Sequence, residues 1–453
     1  MVDLRRLLDE GKPIFGTDGV RGVAGSELTP ELALAIGRAA GSYLRGGPVV
    51  VGRDTRRSGE MLSAALQAGF QAVGIDTVDI GVLPSGGISY LTATSGATMG
   101  AVVSASHNPA EDNGIKLLAA RGSKLPDEVE RELEDRLRSS GTKSAIGPEI
   151  GTRFSDSDAL ERYVDHLVSA SRYNLSGLGV VLDCANGAAF KAAPLLFRRL
   201  KADLEVLADA PDGFNINAGV GAAHPEMLAE RAKGRIGLSF DGDADRLIAV
   251  DEDGRVANGD VVMAIVARHL KSQGALKKNL VVTTVMSNLG FRKSMAEAGI
   301  DLIETRVGDR YVMEALMEHK ASLGGEQSGH IIFLDKGQTG DGLLTAVRLL
   351  DVVAGTGKEL RQLRAEAITE YPQILQNVRV DRGASLDDAR DLWEEVRRVE
   401  SELGDEGRVL VRASGTEPLI RVMVEASSEE LARRYADLLS SVTESSMRKE
   451  GST

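Results

Sequence analysis

The chain has 453 residues, 42% hydrophobic and 27% charged, an ordinary globular balance with length for about three domains. Its formal net charge of −13 argues against a nucleic-acid or anionic-membrane surface as the main partner. No apolar run reaches the roughly 20 residues of a spanning helix, the opening "MVDLRRLLDEGK" lacks a signal-peptide core, and the lone Cys184 permits no internal disulfide. A cytoplasmic protein is expected, and any phosphate ligand must meet locally concentrated positive charge.

In chain order, "GPVVVGRDTRRSGEMLSAALQAGFQAVG" (47–74) runs from an apolar strand through a polar loop into an amphipathic helix. A second strand follows and ends in "AVVSASHNPAEDNG" (101–114), which discharges Ser104, Ser106, His107 and Asn108 at one strand edge, with Lys116 soon after. A turn explains Asn-Pro but not the hydroxyls, imidazole and lysine. "RSSGTKSAIGPEIGTR" (138–153) reads as a linker. The plan then recurs twice. "GLGVVLDCANGAAFKAAPLLFRRL" (177–200) precedes "IGLSFDGDADRL" (236–247), and "KNLVVTTVMSNLGFRKSMAEAGI" (278–300) precedes "ASLGGEQSGHI" (321–331). Continuous β-branched runs followed by helical periodicity mark parallel βα units covered on both faces. Loops at the carboxyl ends of such strands are where ligands bind, so three domains can turn three loaded loops towards one crevice. "DEDGRVANGD" (251–260) reads as a hairpin-like break, and Pro372 in "ITEYPQILQNVRV" (368–380) blocks helix. The tail has a helix at 387–404, a strand over "GRVLVRASGTEPLIRVMVEA" (407–426) and a helix at 427–446, an α+β order without the βα repeat. The final "MRKEGST" is expected to fray.

"SFDGDADR" spaces Asp241, Asp243 and Asp245 two apart, which on a strand is one face; Gly242 points to a looser loop. Three crowded carboxylates call for a cation, and hard oxygen ligands without His or Cys point to Mg²⁺ or Ca²⁺. An EF-hand is excluded because Arg246 stands where its glycine belongs and strands flank the loop. An aspartyl-phosphate phosphatase, with one Asp as nucleophile, is the chemical rival. The bland alternative is an exposed acidic turn. Mg²⁺ keeps open positions that favour phosphate oxygens.

Five motifs in order, "FGTDGVRG" (15–22), "SASHNP", "DGDADR", "GGEQSGH" (324–330) and "RASGTEP" (412–418), resemble the phosphohexomutase superfamily over the whole chain. "FGTDGVRG" with "GGEQSGHIIF" and "TGDGLLTA" most resembles its phosphoglucosamine mutase branch. "LPSGGISYL" replaces a Pro-Thr-Pro-type turn, "GAAHPE" lacks a Ser-Thr before His224, and "RASGTEP" has Ala where Pro is frequent; none removes a charged or phosphate-carrying residue.

The resemblance implies three similar α/β domains with mixed sheets around a central cleft, over 1–150, 151–253 and 254–368, plus a smaller α+β domain over 369–453. It implies that Ser106 is the phosphoserine, and that Asp241, Asp243 and Asp245 hold one Mg²⁺ together with a phosphoserine oxygen. Lys116 resembles the family's general acid/base, its pKa expected to be lowered by neighbouring cations, with Arg21 and His107 beside the serine. Arg246 supports the metal loop or the moving phosphate, and Arg310 assists there or at the sugar. Glu326, Ser328 and His330 face the sugar. Arg412, Ser414, Gly415, Thr416 and Arg421 carry the hydroxyls, N–H groups and Arg forks that phosphate binding requires, and are assigned to the non-reacting phosphate. Interconversion of glucosamine 6-phosphate and glucosamine 1-phosphate is implied, primed by glucose 1,6-bisphosphate or glucosamine 1,6-bisphosphate and feeding UDP-N-acetylglucosamine. Partners are sugar phosphates, without nucleic acid or membrane, and a homodimer is compatible. The alternatives are a phosphoglucomutase or phosphomannomutase, or a non-catalytic sugar-phosphate-binding protein.

Overall fold

The computed structural model describes residues 14–16, 18–139, 143–380, 386, 389–413 and 418–447. These residues group into two compact units. One lies within Met1–Met286 and Gly299–Ala367, the other within Ser287–Ala298 and Ile368–Thr453.

The first unit carries three sheets. Strands β1 (Val20–Val23), β2 (Val49–Arg53), β3 (Thr77–Val82), β4 (Met99–Val103), β5 (Asp112–Ala119) and β6 (Arg153–Ser155) lie in the order β1-β5-β4-β2-β3-β6. The second sheet comprises β7 (Gly179–Asp183), β8 (Asp203–Leu207), β9 (Ile236–Phe240), β10 (Leu247–Val250) and β11 (Val256–Ala257), ordered β11-β10-β9-β7-β8. The third holds β12 (Leu280–Thr284), β13 (Asp301–Thr305), β14 (Leu323–Gly325) and β15 (Ile331–Phe333), ordered β13-β12-β14-β15.

One plan runs through all three. The first strand of each expected unit, β2, β7 or β12, pairs in parallel with β4, β9 or β14. Each of these partners then turns through a polar loop and returns antiparallel as β5, β10 or β15. The sheets are therefore mixed, and the three loaded loops occupy equivalent topological positions. Parallel strands covered on both faces demand continuous apolar runs, and Val49, Val50 and Val51 of β2 are all buried. The break at 251–260 is the β10–β11 hairpin, with Ala249 opposite Ala257.

The fourth sheet is antiparallel, ordered β16-β18-β17, from β16 (Gln373–Arg379), β17 (Gly407–Ala413) and β18 (Leu419–Ala426). The helices Arg390–Leu403 and Glu429–Met447 share its core, in which Leu392, Val396, Val422, Val424 and Leu439 are buried. The segment 407–426 is thus two strands rather than one. Pro418, with no N–H to give a ladder, precedes the second.

Two elements pack across the expected domain bounds. β6 pairs in parallel with β3, so the first sheet extends past 150 to Ser155. The helix Leu289–Glu297 groups with the fourth sheet although it precedes 368, because fully buried Glu425 accepts the Leu289 N–H at 2.9 Å and Arg408 Nε at 2.6 Å. The tail 448–453 and the opening 1–13 lie outside the described residues. Among the described residues no helix is long and apolar enough to cross a membrane.

Behind the first sheet the helices Pro30–Tyr43 and Gly59–Gln71 touch backbone to backbone. A Cβ on Gly69 would lie 2.2 Å from the Leu34 carbonyl oxygen, and one on Gly37 2.2 Å from that of Leu66. Ile36, Leu62, Leu66 and Phe70 pack in the same core. In an ordinary helix interior alanine is better than glycine by about 1 kcal/mol. Here the clash reverses the sign: Gly69→Ala is expected to destabilise the protein by about 1–3 kcal/mol, read as a lower urea midpoint. A midpoint at or above the parent's refutes this contact as a constraint.

Candidate active site

β4 ends at Val103 and delivers the serines at its carboxyl end. Ser106 is 1% exposed and adopts φ 53°, a left-handed conformation uncommon for a residue with a Cβ. Its N–H donates to Ser104 Oγ at 2.9 Å, and its own Oγ donates to Asp241 Oδ2 at 2.6 Å. His107 Nδ1 stands 3.4 Å from that Oγ. Burial, then the charges of Arg246 and Arg21, lower the His107 pKa to about 4, so its ring is neutral at pH 7.

Asp241, Asp243 and Asp245 sit in the β9–β10 loop, not on one strand face; Ala244 at φ 57° bends the chain so that the carboxylates converge. Ligand oxygens from all three lie within 4.8 Å of one another. Asp241 also accepts the Arg246 N–H at 3.2 Å through Oδ1. Asp243 Oδ2 accepts the Ser85 hydroxyl at 2.7 Å, and Asp245 Oδ2 faces His330 Nδ1 at 3.4 Å. The remaining oxygens, Asp243 Oδ1 and Asp245 Oδ1, are buried without a hydrogen-bond partner. Burial, then the Asp245 and Asp243 charges, push the Asp241 carboxyl well above the usual range. Crowded carboxylates with two orphaned oxygens and no sulfur donor fit a small, hard divalent cation such as Mg²⁺.

Lys116 on β5 is buried in the same cluster, its Nζ 3.4 Å from Asp18 Oδ2, 3.4 Å from Asp243 Oδ2 and 3.7 Å from Asp245 Oδ2. The expectation that neighbouring cations lower its pKa is reversed. Burial does oppose the charge, but Asp18, Asp243 and Asp245 outweigh it and hold the ammonium well above its usual value, with Arg21 only a minor counterweight. Lys124 extends the chain of charge, 2.8 Å from Asp18 and 2.7 Å from Asp309. Arg21, on β1, is paired with Asp18.

The third loop closes on this cluster through an isolated bridge between Arg246 and His330. The Arg246 Nε lies 3.8 Å from Asp245 Oδ1. Against burial, Asp245 lifts the His330 pKa to about 9, whereas the Gly340 N–H donates to Nε2 at 3.1 Å and needs a lone pair there. The backbone donor is the fixed partner, so the ring carries one proton, on Nδ1, pointed at Asp245. Glu326 Oε1 accepts the Gly308 N–H at 3.0 Å, and Ser328 Oγ reaches Glu326 Oε2 at 3.5 Å.

The Arg310 guanidinium turns to Asp127, to Glu130 at 2.8 Å and to the Leu125 carbonyl at 3.1 Å, tying the helix Asp309–His319 to the helix Asp127–Arg138, and the residue lines a cavity with Lys124, Asp309 and His330. In the second unit, Arg412 and Arg421 are cross-strand partners on β17 and β18. Both Nε atoms are buried without a hydrogen-bond partner among the described residues, an arrangement suited to an anion. Ser414, Gly415 and Thr416 lie outside the described residues. Sequence reading passed over Asp54, Arg56, Ser85 and Asn217, which all contact the serine or aspartate loops. The only local signal was an acid–base run, "GRDTRR", at the end of a buried strand.

Models of four phosphoglucomutase/phosphomannomutase domains match the chain in order: alpha/beta/alpha domain I at residues 12–143, domain II at 161–254, domain III at 258–371 and the C-terminal domain at 375–441. The phosphoglucosamine mutase of Desulforudis audaxviator is 49% identical over 451 residues, covering 97% of this chain and 99% of the relative. That of Staphylococcus carnosus is 48% identical over 445 residues, covering 96% and 98%. A phosphoglucomutase/phosphomannomutase family protein from Burkholderia thailandensis has a fold similar at a TM-score of 0.83, with 27% identity and coverage of 100% and 99%. Aspergillus fumigatus N-acetylphosphoglucosamine mutase, solved with GlcNAc-6P and magnesium, shares the fold at a TM-score of 0.69, with 18% identity and coverage of 98% and 99%. With four matched domains in order and relatives of this identity along nearly its whole length, the chain belongs to the phosphoglucomutase/phosphomannomutase family.

Proposed function

We propose that the chain is a phosphoglucosamine mutase, interconverting glucosamine 6-phosphate and glucosamine 1-phosphate through a phosphoserine enzyme and a 1,6-bisphosphate. The observation that carries this is the Ser106 hydroxyl, 2.6 Å from a three-carboxylate cluster, in a chain 49% identical to the Desulforudis phosphoglucosamine mutase. A phosphatase with an aspartate nucleophile is disfavoured, since all three carboxylates face one another and two keep an oxygen without a hydrogen-bond partner, suited to a cation.

Phospho-Ser106 gives its phosphoryl group to O1 of glucosamine 6-phosphate: the P–Oγ bond breaks and a P–O1 bond forms. O1 loses its proton and Oγ gains one. The bisphosphate turns around, the 6-phosphoryl returns to Ser106, and glucosamine 1-phosphate leaves. Lys116, cationic before and after, donates to the departing oxygen and is restored by the attacking hydroxyl. Asp241, Asp243 and Asp245 would hold one Mg²⁺ with a phosphoserine oxygen, placing positive charge against the moving phosphoryl group. Arg21, His107 and Arg246 add donors around it. Glu326, Ser328 and His330 recognise the sugar. Arg412 and Arg421, with Ser414, Gly415 and Thr416, recognise the phosphate that does not react. Arg310, lining the cavity beside His330, assists at the sugar or the transferring phosphate. Glucose 1,6-bisphosphate or glucosamine 1,6-bisphosphate primes Ser106, and the buried, unpaired Cys184 supports a reducing cytoplasm.

The direct test is intact mass with site mapping before and after glucose 1,6-bisphosphate, which is expected to show one phosphoryl group on Ser106. Ser106→Ala should lower turnover by more than about 10³-fold, whereas Ser104→Ala keeps a measurable share. Equal losses in the two variants would reject Ser106 as nucleophile.

Metal removal probes the aspartate loop. Excess EDTA should abolish turnover and Mg²⁺ restore it, and Asp243→Asn should weaken Mg²⁺ binding in calorimetry. Full activity in chelator refutes the metal role.

Sugar preference tests the branch. A carboxylate binds the ammonium of glucosamine 6-phosphate more strongly than the hydroxyl of glucose 6-phosphate, by about 1–2 kcal/mol. Wild-type kcat/KM should therefore favour the amino sugar, and Glu326→Gln should lower both, the amino sugar more. A competition assay in which glucose or mannose phosphate wins overturns the branch and leaves the mutase chemistry standing.

A further inference from the structure

The segment "GRDTRRSG" (52–59) after β2 takes no part in the chemistry above, yet it contains a charge enclosed completely. The Arg56 side chain has no exposure, and neither does its partner Asp54. A guanidinium has five N–H donors, and all five are used here. Nε donates to Asp54 Oδ2 at 2.9 Å. Nη2 donates to the carbonyls of Ser106 at 2.9 Å and Asn108 at 2.8 Å, and Nη1 to those of Asp112 at 3.0 Å and of Pro109. One side chain therefore grips four carbonyls of the loop that carries the serine.

Two further contacts converge on the same backbone. Asp54 Oδ2 accepts the Ser104 hydroxyl at 2.5 Å, and Ser104 Oγ accepts the Ser106 N–H. Ser106 is thus held through both its N–H and its carbonyl. From the loop after β8, Asn217 Nδ2 donates to the carbonyls of Ser106 at 2.9 Å and Asn108 at 3.1 Å. Gly242 presses from that side too, since a Cβ there would lie 2.5 Å from the Ser106 oxygen.

A buried Arg–Asp pair is by itself weak evidence for anything but packing. Here the pair does more than fill space. If it were replaced by apolar groups, each of the four buried carbonyls would lose a donor, leaving those of Ser106 and Asn108 with Asn217 and that of Pro109 with the Asp112 N–H, and the loop would lose the contacts that offset its strained serine. We propose that Arg56, with Asp54 and Asn217, forms a positioning clamp that fixes Ser106 in its left-handed conformation and aims Oγ at Asp241. The clamp rests on the reading of Ser106 as nucleophile. Lysine cannot substitute at Arg56, because three donors radiating from one point cannot span four carbonyls.

The test uses the full chain, primed with glucose 1,6-bisphosphate, in three variants. Arg56→Lys is expected to lose about 10²-fold in kcat, the effect of a roughly 1 Å misplacement. Its KM for glucosamine 6-phosphate should stay within about twofold, since Arg56 does not touch the sugar. Amide hydrogen exchange should accelerate at residues 104–112 and not across the first sheet. Asn217→Ala, a smaller change, is expected to lose about 10-fold in kcat with the same local exchange, and it decides the matter if Arg56→Lys does not fold. Unchanged kcat in either folded variant, or lost kcat with protection lost evenly over the first sheet, overturns the clamp. Ser106→Ala separates the two readings. If it turns over, the nucleophile assignment fails; if it is inactive while the clamp variants are normal, only the clamp fails.

Discussion

Three buried carboxylates that cannot all be ionised without help are the constraint on which the first unit is built. Inside protein, like charges at this spacing repel far more strongly than in water. The chain answers with every cation it can bring there. Lys116 comes from β5 and Arg246 from the aspartate loop itself, and the neutral His330 ring adds an N–H donor from the third loop. Two oxygens still lack a hydrogen-bond partner. The acidic surplus of the whole chain therefore coexists with a site whose local need is for positive charge, met by basic side chains and suited to a divalent cation.

The repeated sheet plan makes this convergence attainable. In each of the three sheets the functional loop lies between a parallel strand and the antiparallel strand that follows it. Loops in equivalent positions can be specialised separately: a hydroxyl on the first, carboxylates on the second, and Glu326 with His330 on the third. Rigid strands on either side limit how far each loop can stray. The three loops lie at the carboxyl ends of strands, where parallel sheets bind ligands, although these three sheets are mixed, because the strands that lead into the loops are the parallel ones.

The serine loop illustrates how strain and satisfaction are balanced. A left-handed serine is disfavoured, and a tight turn from β4 into β5 directs several carbonyls inward. Those carbonyls find the Arg56 guanidinium and the Asn217 amide, so the backbone is satisfied in one arrangement only. Asp309, Lys124 and Asp18 form a comparable ionic chain between the third and first sheets, with Arg310 bound to Asp127 and Glu130 alongside it.

The strand–helix repeat, the three loaded loops and the run of Asp241, Asp243 and Asp245 were legible in the sequence, because period-two and helical patterning and turn chemistry are local properties, whereas Ser106 and Lys116 were singled out only through the family resemblance. The family followed from five motifs in order. Other features were decided only by contacts between residues far apart in the chain. Lys116 is raised rather than lowered because Asp18 and Asp243 arrive from other elements. Arg310 found carboxylates on a helix some 180 positions earlier. β6 joined the first sheet and the helix Leu289–Glu297 the fourth, since pairing partners are chosen by geometry and not by sequence distance. The burial of Arg56 and the glycine contact at Gly69 belong to the same class. A side chain's charge state, partners and freedom depend on what packs around it, and that neighbourhood exists only after the chain has folded.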